Sequence, residues 1–115
     1  MQRSEWRLRI QDMLDAVAEI QSFTAELDFE GFRSDAKTMR AVQYNFVILG
    51  EAARNVPEEV RARYPQLPWP RIIGMRNVIA HQYRRIDSTA LWDTIQGDLP
   101  PLVPLLQQML EAEPR

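Results

Sequence analysis

The sequence has 115 residues, of which 45% are hydrophobic, a size and composition that predict one domain with one hydrophobic core. It contains no cysteine and a single histidine, which excludes disulfides and thiolate chemistry and argues against a zinc site. The net charge of −2 does not indicate a general nucleic-acid binder, and no apolar run reaches the roughly 20 residues of a membrane span. We therefore expect one cytoplasmic domain over residues 1–115, with neither a signal peptide nor a membrane anchor.

Hydrophobic residues recur at three- and four-residue spacing along most of the chain, which predicts helices and no strands. The predicted helices span 4–27, 35–55, 57–64, 69–84, 87–97 and 98–110. Ser4 is the expected N-cap of the first helix, and Pro57 the expected first residue of the third. Residues 28–34 are predicted to form a connector, and the tail 111–115 is predicted to fray.

Long helices with short connections predict an all-α antiparallel bundle of about five to six helices. Its apolar surface is large for so small a bundle, which favours a homodimer. Gly50 lies inside the second predicted helix, where glycine costs about 1 kcal/mol relative to alanine, so we expect a close backbone approach there. The neighbouring Glu51 is predicted to be a partly buried partner of an arginine, with Arg40 as a candidate partner or phosphate contact. Trp69 is predicted to anchor the start of the fourth helix.

Positive charge is concentrated around the only histidine. Residues 54–85 carry seven arginines and two glutamates, a net charge of +5, whereas the rest of the chain carries −7. Arginine is planar and binds phosphate through two N–H groups. Each arginine taken singly fits a solvated surface with a carboxylate partner, but their clustering around His81 favours an anionic ligand.

Residues 76–85, treated as one continuous helix, form a polar ridge around His81. At 100° per residue, one side of this ridge carries Asn77, His81 and either Arg84 or Arg85. Arg76 lies about 140° from His81 on the same helix, within reach of a long side chain. An imidazole transfers protons near neutral pH, and a guanidinium stabilises charge on a phosphate. These groups suit cleavage of RNA by its own 2′-hydroxyl, with no metal or cofactor.

The single histidine leaves an alternative open. A histidine near a helix C-terminus often caps the helix and interacts favourably with its dipole, so spacing does not by itself assign a catalytic role to His81. One histidine also does not readily serve as both the base and the acid of one reaction. A twofold dimer that brings two copies of His81 into one cleft would supply both groups.

The run Arg76-Asn77-x-x-x-His81-x-Tyr83 resembles the R-x4-H-x-Y signature of the HEPN superfamily, in its HepT-like branch. The motifs G-E-A-A at 50–53 and P-W-x-x-I-x-G-M-R-N at 68–77 agree, and the likeness covers about residues 6–110. The resemblance implies a dimerising α-helical bundle in which the R-x4-H motifs of two subunits meet in a cleft. It also implies a metal-independent endoribonuclease that acts as the toxin of a toxin–antitoxin pair.

The same resemblance implies roles for individual residues. Arg76 and His81 would be the catalytic pair and Asn77 would support them. Tyr83 would accept AMP from a minimal nucleotidyltransferase antitoxin, MntA, and this modification would silence the toxin. Further contacts with RNA phosphates are expected at Arg40, Arg71, Arg84 and Arg85.

Two positions near the motif depart from the usual pattern of this family. Gln82 replaces a common acid and Arg84 a common aromatic residue, which leaves substrate preference open but not the motif itself. A second reading belongs to another class of protein: a non-catalytic subunit that presents a nucleotide or RNA to a nucleotidyltransferase. A pure scaffold would not need Arg76, His81 and Tyr83 together, so the sequence favours the ribonuclease.

Overall fold

Seven α-helices form the described part of the chain, which in this computed structural model comprises residues 3–112, with side chains from residue 5 onwards. They are α1 (Arg3–Thr24), α2 (Phe29–Arg33), α3 (Ala36–Arg54), α4 (Glu58–Arg63), α5 (Trp69–Gln82), α6 (Ser88–Asp93) and α7 (Leu102–Ala112). A 3-10 turn at Tyr83–Arg85 follows α5, and a π-helical turn at Thr94–Asp98 follows α6. No strand occurs within residues 3–112, so the prediction of an all-α fold is confirmed. Helix α1 already includes Arg3, so Ser4 lies inside the helix and is not its N-cap as predicted. Helix α7 includes residues 111 and 112, which were predicted to fray, and residues 113–115 lie outside the described part of the chain.

Helix α3 is the centre of the bundle because it packs along both α1 and α5. Gln43 near its start bonds to Tyr83 at the end of α5, while Gly50 near its end approaches Ile72 near the start of α5. These two contacts show that α3 and α5 run antiparallel. Buried residues at helical spacing fill the core, among them Ile10, Met13, Val17, Val42, Phe46 and Leu49. None of the described helices has both the length and the hydropathy of a membrane span.

The segment predicted as a connector contains a short helix, α2, which the sequence analysis did not predict. Asp28 caps it, because its Oδ1 accepts a hydrogen bond from the backbone N–H of Gly31 at 2.8 Å. Phe32 is fully buried, and its ring centre lies 5.3 Å from that of Trp92. A helix of five residues is too short to show a periodic apolar stripe, which explains why the sequence pattern did not reveal it.

Two predicted boundaries also need correction. Pro57 precedes α4 as its N-cap residue in an extended conformation, so Glu58 rather than the proline begins the helix. Helix α5 ends at Gln82, two residues before the predicted end, and the chain continues as the 3-10 turn. At the other end of α5 the prediction is confirmed, because the buried Trp69 donates from its ring nitrogen to the carbonyl oxygen of Tyr64 at 3.0 Å.

Candidate functional site

Arg76 lies at a close approach of α5 to the backbone of α3. A Cβ atom at Gly50 would collide with the Cβ of Arg76 and would lie 3.0 Å from the carbonyl oxygen of Ile72. Gly50 therefore provides the close backbone approach that was expected at this position. The approach brings the stem of Arg76 against α3 and leaves 29% of its side chain exposed.

Two side chains hold the guanidinium of Arg76. Its Nε lies 3.3 Å from Oε1 of Glu51 in an ion pair, and both of these atoms are buried without hydrogen-bond geometry. Its Nη1 donates to Oδ1 of Asn77 at 3.1 Å. The prediction that Glu51 pairs with an arginine is confirmed, but the partner is Arg76 and not Arg40. Asn77 therefore orients the arginine, one of the two residues that it was expected to support.

His81 lies one turn beyond Asn77, with its side chain exposed to solvent. In the described part of the chain, no hydrogen bond or ion pair joins it to Arg76 or Asn77. The chain thus brings Arg76 together with Glu51 and Asn77, whereas neither a hydrogen bond nor an ion pair links the imidazole to the guanidinium within the described residues.

Tyr83 lies in the 3-10 turn between two arginines. The guanidinium carbons of Arg40 and Arg84 are 5.5 Å and 5.3 Å from the centre of its ring. Arg84 Nε also donates to the phenolic oxygen at 3.1 Å. The phenol keeps 42% of its surface exposed, so it is accessible from solvent beside two positive charges.

The sequence did not single out Gln43, which positions this turn. Its amide nitrogen donates to the carbonyl oxygen of Tyr83 at 3.1 Å, and its amide oxygen accepts from Arg40 Nη1 at 3.3 Å. Gln43 is only 3% exposed. It lies four residues after Met39 and three before Phe46, in the spacing of the apolar stripe of α3. A polar residue at such a position was the available signal, because buried amides are normally hydrogen-bonded to a specific partner.

Arg71 in α5 and Arg85 in the following 3-10 turn belong to a different surface from Arg76. Both line a largely apolar cavity of about 570 Å³ between α5 and the segment from α6 to α7. Arg71 is paired there with Asp98 at 2.6 Å. The 3-10 turn ends the regular helix after Gln82, so the single ridge predicted for residues 76–85 is wrong beyond that residue. The four arginines predicted to contact RNA therefore form two groups, with Arg40 and Arg84 at Tyr83 and the other two at the cavity.

The arginines also differ in their charge partners. Arg71 and Arg76 each form an ion pair, whereas Arg40, Arg84 and Arg85 have no carboxylate partner within the described residues. Unpaired guanidinium groups remain available to a phosphate. Across residues 3–112, no three acidic, histidine or cysteine side chains converge as potential metal ligands.

Comparison with known proteins identifies the family. The model of the ribonuclease HepT-like family matches residues 13–109. A Thermococcus cleftensis protein named "Probable ribonuclease HepT" is 37% identical over 93 residues, which are 81% of this chain and 84% of that protein. A Caldanaerobacter subterraneus protein named "Putative RNase TTE0752" is 33% identical over 87 residues, which are 76% of this chain and 78% of that protein. No solved structure gives a significant match. The chain belongs to the ribonuclease HepT-like family of the HEPN superfamily.

Proposed function

We propose that this protein is an endoribonuclease toxin that cleaves RNA with Arg76 and His81 in a cleft shared by two subunits. Membership of a ribonuclease family supports the activity. The observation that carries the assignment of residues is the fixed guanidinium of Arg76, held by Glu51 and Asn77 one turn from the exposed His81. An oriented cation and an accessible proton-transfer group are the two components that phosphodiester cleavage requires.

The reaction follows from these groups. The imidazole of one His81 accepts the proton of the 2′-hydroxyl as O2′ bonds to phosphorus. The P–O5′ bond breaks, and a protonated imidazole donates its proton to the leaving O5′. Arg76 stabilises the negative charge on the phosphorane oxygens. The products are a 2′,3′-cyclic phosphate and a 5′-hydroxyl, and every proton is carried by a side chain, without a metal.

Two subunits are needed because one protomer supplies a single imidazole. Arg76 and His81 are not joined within the described protomer, which fits a cleft completed by a second copy. In that cleft one His81 acts as the base and the other as the acid.

A minimal nucleotidyltransferase of the MntA kind silences the toxin by adenylylating Tyr83. The Tyr83 oxygen attacks the α-phosphate of ATP, gains AMP, loses its proton and releases pyrophosphate. The exposure of this phenol and its position beside Arg40 and Arg84 support the proposal. The added phosphate would neutralise guanidinium groups that otherwise attract RNA, and the nucleoside would add bulk beside the catalytic residues.

The test of cleavage compares wild-type protein with the His81→Ala and Arg76→Ala variants on single-stranded RNA. Intact mass spectrometry first establishes that each sample lacks AMP. We expect wild-type protein to cleave the RNA and both variants to lose most of this activity. Unmodified wild-type protein that leaves RNA intact would instead support a non-catalytic subunit that presents a nucleotide or RNA to its partner.

The test of silencing uses co-expression with the nucleotidyltransferase. We expect one or more AMP additions at Tyr83 and none in the Tyr83→Phe variant. If the Tyr83→Phe variant is still neutralised by the partner, tight binding rather than modification is the mechanism. Addition of AMP at another residue would also contradict the proposal.

A further inference from the structure

A shallow groove of about 200 Å³ lies between α3 and the end of α5. Arg40, Tyr44 and Val47 line it from α3, and Ala80 and Tyr83 line it from α5 and the following turn. It lies on the side of α5 that faces α3, as does Arg76. Tyr83 follows Arg76 by seven residues, or about 10 Å along a helix. The groove therefore begins within about two helical turns of the guanidinium proposed to bind the scissile phosphate.

Tyr44 presents an open aromatic surface in this groove. It is 66% exposed, the highest exposure among the large hydrophobic side chains of the described residues. Its side chain has no hydrogen bond, ring contact or cation–π contact with any other described residue. The ring of Tyr83 differs because the guanidinium groups of Arg40 and Arg84 already lie near it. The free stacking surface of the groove is thus that of Tyr44.

The charge around the groove is positive and uncompensated. Arg40 and Arg84 lack a carboxylate partner within residues 3–112, and the buried amide of Gln43 fixes the position of Arg40 through its Nη1. An open aromatic ring beside unpaired arginines is the pattern by which proteins hold single-stranded nucleic acid: the ring stacks on a base and the cations follow the backbone. Paired bases in an A-form duplex do not offer their faces to a side chain.

We propose that this groove is a nucleobase-binding subsite for single-stranded RNA. Tyr44 stacks on an unpaired base adjacent to the phosphate at Arg76, and Arg40 and Arg84 contact the neighbouring backbone phosphate. The inference rests on the proposed ribonuclease function for the identity of its ligand. It adds that the enzyme requires an unpaired nucleotide beside the cleavage point and that α3 supplies the residue that recognises it.

The experiment measures binding of a fluorescent single-stranded oligoribonucleotide by anisotropy, with the His81→Ala change in every protein so that RNA is not consumed. Tyr44→Ala removes the stacking surface, Tyr44→Phe retains a ring, and Phe23→Ala removes another exposed aromatic side chain that does not line the groove. A second probe has the same ribose-phosphate backbone but lacks the base at one position at a time. Light scattering records the oligomeric state of each variant.

We expect Tyr44→Ala to weaken binding of the complete oligonucleotide by roughly 5- to 150-fold, the range found for loss of one base–aromatic stack. Tyr44→Phe and Phe23→Ala should bind nearly as well as the parent. One abasic position should weaken the parent similarly and should have little further effect on Tyr44→Ala.

Normal binding by Tyr44→Ala would overturn the inference, as would equal weakening at every abasic position. Conversion of the dimer to a monomer by Tyr44→Ala would also overturn it, because the groove would then be a contact between subunits. These outcomes are separate from failure of the proposed function, which is judged by cleavage with the wild-type protein. A protein that cleaves RNA but binds normally after Tyr44→Ala retains the ribonuclease function and loses only the subsite.

Discussion

Gly50 is the residue on which the geometry of the candidate site depends. The helices α3 and α5 approach so closely there that no side chain fits between Gly50 and the Cβ of Arg76. Glu51, the next residue, contributes the carboxylate that pairs with Arg76 Nε. Two adjacent residues of α3 therefore set both the position of the arginine stem and the orientation of its guanidinium.

Gly50→Ala should destabilise the protein by about 1–3 kcal/mol, because the added methyl group must separate two packed helices. Gly74→Ala, within α5, is the matched control, since a Cβ there meets no atom within 4 Å. The control should stabilise the protein by about 0.5–1 kcal/mol through its higher helix propensity. Urea denaturation measures both changes, and equal effects of the two substitutions would show that the close approach is not required.

Helix α3 makes three structurally important interactions along its length. Asp35 caps its start, Gln43 holds the end of α5, and Gly50 admits Arg76. The tertiary position of the candidate site thus depends on how α3 begins and packs, although α5 carries the residues of the motif.

The cap at Asp35 should make stability depend on pH in the acid range. Its carboxylate accepts from the Thr38 hydroxyl at 2.7 Å and from the Thr38 backbone N–H at 3.0 Å, and these hydrogen bonds lower the pKa of Asp35. A lowered pKa in the folded state gives stabilisation that is complete above the unfolded value of about 3.9. It is lost as the pH falls through the lower folded value.

The Asp35→Asn variant retains a capping amide but has no carboxylate to titrate. The wild-type advantage in free energy of unfolding over this variant should therefore be constant near neutral pH and shrink towards pH 3. Denaturation of both proteins between pH 3 and pH 7 measures it. An advantage that grows on acidification would contradict the assigned role of the carboxylate.

Replacement of Gln43 should loosen the turn that carries Tyr83. Gln43→Leu has a similar volume but leaves the Tyr83 carbonyl and Arg40 Nη1 without their amide partner, at a cost of about 1–3 kcal/mol. We expect faster amide hydrogen exchange after residue 82 and slower adenylylation of Tyr83. Gln21→Leu in α1 is the control, a partly exposed glutamine remote in sequence from the turn. Unchanged exchange and modification in Gln43→Leu would show that Gln43 does not position the turn.

Over the whole described chain, no hydrogen bond or ion pair connects the two catalytic candidates, Arg76 and His81. Arg76 is bound on one side by α3, while His81 points to solvent beyond Asn77. The proposed dimer predicts that both copies of His81 act in the same reaction. Its activity should therefore depend on the two subunits together.

This dependence is measured with heterodimers that contain one wild-type and one His81→Ala subunit, purified through two different tags. Loss of a general acid or base typically costs about 10²- to 10⁴-fold in rate, so the heterodimer should retain far less than half of the wild-type activity. Half of the wild-type activity would indicate two independent sites. A monomer with full activity would exclude the shared cleft altogether.

Much of the fold and part of the site could be predicted from the sequence. The apolar periodicity revealed the long helices α1, α3 and α5 because burial of one face is repeated every three or four residues. It missed α2 because five residues do not complete such a repeat. Gly50 was recognised because glycine is unusual inside a helix, and Glu51 because it follows Gly50 in the motif at 50–53. Gln43 resembled an ordinary polar residue until its burial and its hydrogen bond to Tyr83 were known.

The helical class, the spacing of the apolar residues and the R-x4-H-x-Y motif were all readable in the sequence, because these depend on local spacing and residue type. Which arginines lie together follows from the packing of the helices and could not be read from the sequence. This packing placed Arg76 against Glu51, grouped Arg40 and Arg84 around Tyr83, and directed Arg71 towards Asp98. The physical reason is that charge along a chain does not specify side-chain direction. That direction follows from the close contact of α3 with α5 and from the end of the regular helix at Gln82.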